Sequence, residues 1–180
     1  FLQWFHFRLD GAGERGCRVV IENASETTYP KGWEGYGVAT SHDRAVWYRT
    51  PTDYDGATLS WQVEPGHDAL WFAYFAPYSL ERHTDLVARA AVAPGVTLER
   101  LGSTLDGRAI DCLHLGAFPD CGTTAPSDAA RGRTGHRARR QVWAIARQHP
   151  GEPMAEWWME GWLERLLDPD DATVRALRGA

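Results

Sequence analysis

His149 and Glu152 stand three residues apart in RQHPGEPMAEWW, residues 147–158, with Pro150 and Gly151 between them. A neutral imidazole nitrogen and a carboxylate at that spacing can converge on one cation. The donor pair suits Zn²⁺, as in catalytic sites built from two histidines and a glutamate that leave a position open for water. Gly151 would let the backbone turn sharply, and Pro150 and Pro153 would restrict the flanking φ angles. The same residues also fit a plain helix start, in which Glu152 complements the helix dipole, Pro153 occupies the first turn and His149 is an exposed loop residue. Spacing alone leaves both readings open, because HxxE pairs are common by chance. Arg147 could reach a substrate or steady the turn, or it could form an ion pair with Glu152 or Glu156.

The elements that must hold this pair flank it directly. QVWAIA (141–146) is a short continuous apolar run of the kind buried on both faces of a sheet. Strand, tight turn and helix in that order put the pair at the carboxyl end of a strand, where open α/β sheets carry their ligand sites. Behind it, Met154, Trp157, Trp158, Gly161, Trp162 and Leu166 recur at threes and fours, with Glu156, Glu160, Glu164 and Arg165 between them. That pattern predicts an amphipathic helix with one broad buried face. In DPDDATVRALR, Asp168 serves as cap, with a proline in the first turn and an Asp three residues on, predicting a second helix.

The first half of the chain is dense in short β signals. FLQWFHFRL and CRVVIEN flank the glycine-bearing DGAGERG and read as a hairpin with a long loop. RAVWYRT (44–50), TLSWQVE (58–64) and ALWFAYF (69–75) follow, separated by turn compositions, and regular spacing of this kind suggests an antiparallel sandwich. LERHTDLVARAAV then sets Leu80, His83, Val87 and Ala90 at helical spacing and ends before Pro94 and Gly95. VTLERLGSTLDGRAIDCLHLG reads as a hairpin turning at Asp106 and Gly107. The expected division is a sandwich over 1–94 and a second domain over 95–180.

With 180 residues, 43% of them apolar, the chain can bury a full core. Its net charge of −5 gives no general attraction to nucleic acid or anionic lipid, and no apolar run approaches the ~18 residues of a membrane span. The basic RGRTGHRARR closes an aperiodic stretch, 117–140, and reads as a solvated loop. Cys17, Cys112 and Cys121 are an odd number without CxxC spacing, which suits a reducing, cytoplasmic setting better than a disulfide framework. His6, His42, His67, His83, His114 and His136 have no partner at ligand spacing. Of the nine tryptophans, Trp61 and Trp71 are expected in the sheet core and Trp157, Trp158 and Trp162 in helix packing.

ARQHPGEPMAEWWMEGWLERLL resembles the zinc-binding segment of the metallocarboxypeptidases, specifically the cytosolic carboxypeptidase subfamily. QWFHFR, YPKGWEGYGVATSHD, WYRTPT and VEPGHDALWFAYFAPYSLERH resemble the β-sandwich domain that precedes the catalytic domain there, and GSTLDGRAIDCLHLG resembles the opening hairpin of the catalytic domain. The resemblance implies an antiparallel β-sandwich followed by the first part of an α/β zinc carboxypeptidase domain. It also implies that His149 and Glu152 are two of three protein ligands to one zinc ion, and that a peptide or protein C-terminus ending in glutamate or another acidic residue is the substrate. The family's third ligand, a histidine, its general-base glutamate and its carboxylate-holding Asn and Arg residues are expected beyond Ala180, so the chain reads as an N-terminal piece. The family's usual Ser or Thr after HPGE is Pro153 here. The competing reading is a non-catalytic sandwich for partner or carbohydrate binding that carries a vestigial HxxE.

Overall fold

The computed structural model describes residues 2–64, 66–116 and 142–179. Two compact units emerge, one comprising Phe1–Pro77 with Arg147–Met154, the other Tyr78–Ala146 with Ala155–Ala180.

The first unit is built from two antiparallel sheets. One has the order β1 (His6–Asp10), β7 (Ala69–Ala73), β3 (Gly37–Ser41), β4 (Tyr48–Pro51); the other has β2 (Cys17–Ile21), β6 (Leu59–Val63), β5 (Asp53–Tyr54). Strand alternation sends Leu59, Trp61 and Val63 of β6 inward to meet Leu70 and Phe72 of β7 in a shared core. Trp61 and Phe72 are 2% and 1% exposed, with ring centroids 5.3 Å apart. Each such ring contributes roughly 2–3 kcal/mol of burial. Trp33 closes the core, its indole N–H donating to Ala24 O and Thr27 Oγ1 at 3.0 and 2.8 Å.

Three expectations change here. β1 and β2 do not form a hairpin: β1 pairs with β7 and β2 with β6, in different sheets. The connection between them is too long for a tight hairpin and is tied instead to the 66–68 turn, by Gly11 N–H to Asp68 O and Gly66 N–H to Gly13 O. The strand expected over 44–50 begins only at Tyr48. Asp43 Oδ1 takes the N–H groups of Ala45 and Val46, both at 2.8 Å, and Arg44 adopts φ 64°, so those residues form a turn. β3, inside the four-stranded sheet, was not expected, because its GVATS carries small residues of weak strand signal. Smallness has a use there, since a Cβ on Gly37 would lie 3.2 Å from Thr50 O.

The second unit holds α1 (Leu80–Ala91), the hairpin β8 (Val96–Ser103) and β9 (Ala109–Leu115), α2 (Met154–Leu167) and α3 (Ala172–Gly179). α1 is capped by Ser79 Oγ, which accepts from Arg82 N–H at 3.1 Å. It buries Leu86 and Ala90, whereas Leu80, expected on that face, is 51% exposed. The hairpin turns as read, with Gly107 at φ 77° and its N–H on Thr104 O. α3 is capped by Asp171 rather than Asp168: Asp171 Oδ1 accepts from Thr173 and Val174 N–H at 2.8 and 3.0 Å.

Residues 142–146 form no strand, and Val142, Trp143 and Ile145 are 84%, 71% and 65% exposed. An apolar run is buried on both faces only when strands lie beside it, and among the described residues none pairs with this one. The 117–140 stretch, with Cys121 and His136, lies outside the described residues. Among those described, no helix is long and apolar enough to cross a membrane.

Candidate metal centre

His149 and Glu152 occupy one tight turn immediately before α2, and Glu152 N–H donates to His149 O at 3.1 Å. Both side chains are exposed. Neither makes a hydrogen bond or ion pair with any other described residue, so their lone pairs are open to a cation. The strained position of the turn is Arg147, at φ 54°; Gly151, expected to supply the sharp bend, has no positive φ. The Arg147 guanidinium folds back on Pro150 O, with Nη2 at 3.3 Å and Nε at 3.4 Å. Trp4 Nε1 donates to Gly151 O at 2.8 Å, and a Cβ on residue 151 would sit in ordinary contact, 3.7 Å from the Trp4 ring. Pro153 is fully buried and anchors the end of the turn.

The donor chemistry of the pair fits zinc, imidazole nitrogen with carboxylate oxygen. Among the described residues, however, no group of three or more His, Cys, Asp or Glu could hold a metal. Among the described residues, other histidines are engaged elsewhere. His114 Nε2 lies 2.7 Å from Glu99 Oε2, and His83 Nδ1 lies 3.0 Å from Glu156 Oε1. The His42 ring lies 3.8 Å from that of His67, with Nε2 2.8 Å from Tyr48 Oη.

α2 does not bury the face its pattern predicts. Met154 and Trp158 are 39% and 55% exposed, while Glu160, expected outside, is 6% exposed. Arg82 grips that carboxylate with two bonds, Nε to Oε2 at 2.7 Å and Nη2 to Oε1 at 3.0 Å, and Arg89 Nη2 adds a third at 3.2 Å. The Arg82 guanidinium also lies 4.0 Å from the centroid of Trp157. Burial pushes the Glu160 carboxyl pKa up, but donors from Arg82 and Tyr78 and the charges of Arg82 and Arg89 outweigh it, leaving the pKa lowered. Burial, with Glu160 alongside, raises the Tyr78 hydroxyl. Neither Trp4 nor Glu160 stood out in the sequence as support for this region, because their partners are remote along the chain.

Residues 1–75 match the cytosolic carboxypeptidase N-terminal domain. Over that span the chain is similar to the cytosolic carboxypeptidases. It is 46% identical, over 99% of its length, to an uncharacterised protein of Zymomonas mobilis, of which it covers 42%. It is 27% identical to cytosolic carboxypeptidase 2 of Danio rerio over 96% of the chain and 26% of that protein. The crystal structure of a metallo-carboxypeptidase from Burkholderia cenocepacia superposes with a TM-score of 0.81 at 38% identity, over 98% of this chain and 43% of the other. The chain thus spans less than half the length of these relatives.

Proposed function

We propose that this chain carries part of a zinc-dependent carboxypeptidase that removes C-terminal residues, glutamate or another acidic residue first, from peptides or proteins in the cytoplasm. The observation that carries the reading is the HPGE turn, where a histidine and a glutamate stand exposed and, among the described residues, without side-chain partners on a loop held by its own hydrogen bonds. His149 and Glu152 would hold the metal, with the third ligand and the general base supplied beyond Ala180. When bound, zinc would supply Lewis-acid polarisation of the scissile carbonyl and lower the pKa of water to about 7. The chain's own part is to present two donors in fixed order on one turn, with Arg147 beside them to meet the substrate's carboxylate end. In this division the sandwich runs over 1–94 and the hairpin at Val96–Leu115 opens the catalytic domain. The odd number of cysteines, Cys17, Cys112 and Cys121, without CxxC spacing suits a reducing compartment.

The test measures glutamate release from a glutamate-terminated peptide by the 180-residue chain and by the reading frame extended to the length of its relatives. Release by the extended protein alone, abolished by His149→Ala, is the expected result. An extended frame that lacks a further histidine and a catalytic glutamate, or one indifferent to His149→Ala, would overturn the assignment and favour a binding module.

A further inference from the structure

The backbone of the HPGE turn offers three successive carbonyls, and each accepts a hydrogen bond. His149 O accepts from Glu152 N–H and Pro150 O from the Arg147 guanidinium, both within the turn itself. Gly151 O, the carbonyl between Pro150 and Glu152, accepts from Trp4 Nε1 at 2.8 Å, a partner 147 residues away. Of the three bonds, this one ties the turn to another part of the chain. Trp4 is itself held by aromatic packing. Its ring meets Tyr74 edge-on at 6.2 Å, and Tyr74 packs on Trp33 at 5.4 Å and Tyr36 at 5.6 Å. Tyr36 Oη donates to Tyr74 O at 2.5 Å, which fixes the other side of that cluster. The one polar atom of the indole is therefore aimed at the turn from a partly exposed ring backed by this cluster.

We infer that Trp4 is a positioning residue for the metal-binding turn, so that the opening segment of the sandwich helps to set the ligand geometry of the catalytic domain. The inference rests on the reading of His149 and Glu152 as metal ligands. An indole N–H on a carbonyl within the ligand-bearing turn acts as outer-shell partners of metal ligands do: it restricts the backbone from which both donors project, and so lowers the ordering cost of binding. Tyr74 and the rings behind it would keep a replacement aromatic in place, so losing the N–H should loosen the turn without dismantling the sandwich.

The experiment uses the 180-residue chain as wild type, Trp4→Phe and His149→Ala. Zinc binding is titrated by competition with a chromophoric chelator, and amide hydrogen exchange is followed over residues 147–154. Trp4→Phe is expected to speed exchange at 151–152 about threefold or more and to weaken zinc binding about three- to tenfold. Unchanged exchange and unchanged affinity in Trp4→Phe overturn the inference. Should that variant fail to fold, the wild-type indole N–H resonance of Trp4 decides: slow solvent exchange and a shift on adding zinc support the role, and free solvent exchange overturns it. His149→Ala separates the two readings. If it leaves zinc affinity unchanged, the metal assignment fails whatever Trp4 does; if it lowers affinity while Trp4→Phe does not, the positioning role alone fails.

Discussion

Glu152 and Glu160 lie eight residues apart, on either side of the start of α2, and the protein treats them in opposite ways. Glu152 is exposed and without a partner among the described residues, on a turn stiffened by its own hydrogen bonds. Glu160 is buried and gripped by two arginines. A carboxylate whose lone pairs are already spent on guanidinium groups is structural; one held ready with its lone pairs unspent is available to a ligand. The sequence pattern sets Glu160 on the solvent side of the helix and leaves Glu152 between metal ligand and helix-start charge; the fold reverses the first of these by burying Glu160.

The largest effect is expected where the paired carboxylate is removed. Glu160→Ala should cost about 2–3 kcal/mol in urea denaturation, below the ~3–5 kcal/mol for breaking a fully buried pair. The discount follows from Arg82 and Arg89, whose side chains are 35% and 55% exposed and can regain water. A loss under about 0.5 kcal/mol would show that the cluster is ornamental.

A neutral replacement of the same shape separates charge from packing. In Glu160→Gln the deficit should be about 1–2 kcal/mol at pH 7, the worth of hydrogen bonds to a charged group. Because the folded pKa of Glu160 is lowered, its charge stabilises fully above the unfolded value of about 4.3 and less as pH falls through the folded value. The stability difference between wild type and Glu160→Gln should therefore shrink between about pH 5 and pH 3. Asp43, Asp55 and Asp171 also have lowered values, Asp55 to about 2, so the difference between the two proteins is the proper readout. A gap that stays constant across that range would mean the carboxylate's charge is not what holds α2.

What could be read from the sequence was local. β6, β7, α1 and the 96–115 hairpin were legible because aromatic and β-branched runs, helical spacing and an Asp-Gly turn act within a few residues. The pairing of β1 and β2 was not, since each finds its partner across the sandwich. The buried face of α2 was misjudged for the same reason: Glu160 goes inside because of arginines 71 and 78 residues away. QVWAIA has the composition of a buried strand, but burial is conferred by neighbours, and Val142 and Ile145 have none among the described strands. At the site, spacing disclosed the His149 and Glu152 pair, while the Trp4 bond that holds their turn required the fold.

The smallest effect on stability belongs to the exposed carboxylate of Glu152, and its smallness is the informative part. Glu152→Gln should change unfolding free energy by no more than about 0.5 kcal/mol without metal, because an exposed group with no partner among the described residues loses little when its charge is removed. Added zinc should then separate the two proteins. Ligand that binds only the folded state stabilises by RT ln(1 + [L]/Kd), so wild type should show a rising thermal midpoint as zinc increases, and Glu152→Gln a lesser rise. A destabilisation without metal would assign Glu152 to the fold as a helix-start charge. Equal zinc responses would remove the carboxylate from the metal site and leave His149 without its nearest co-ligand.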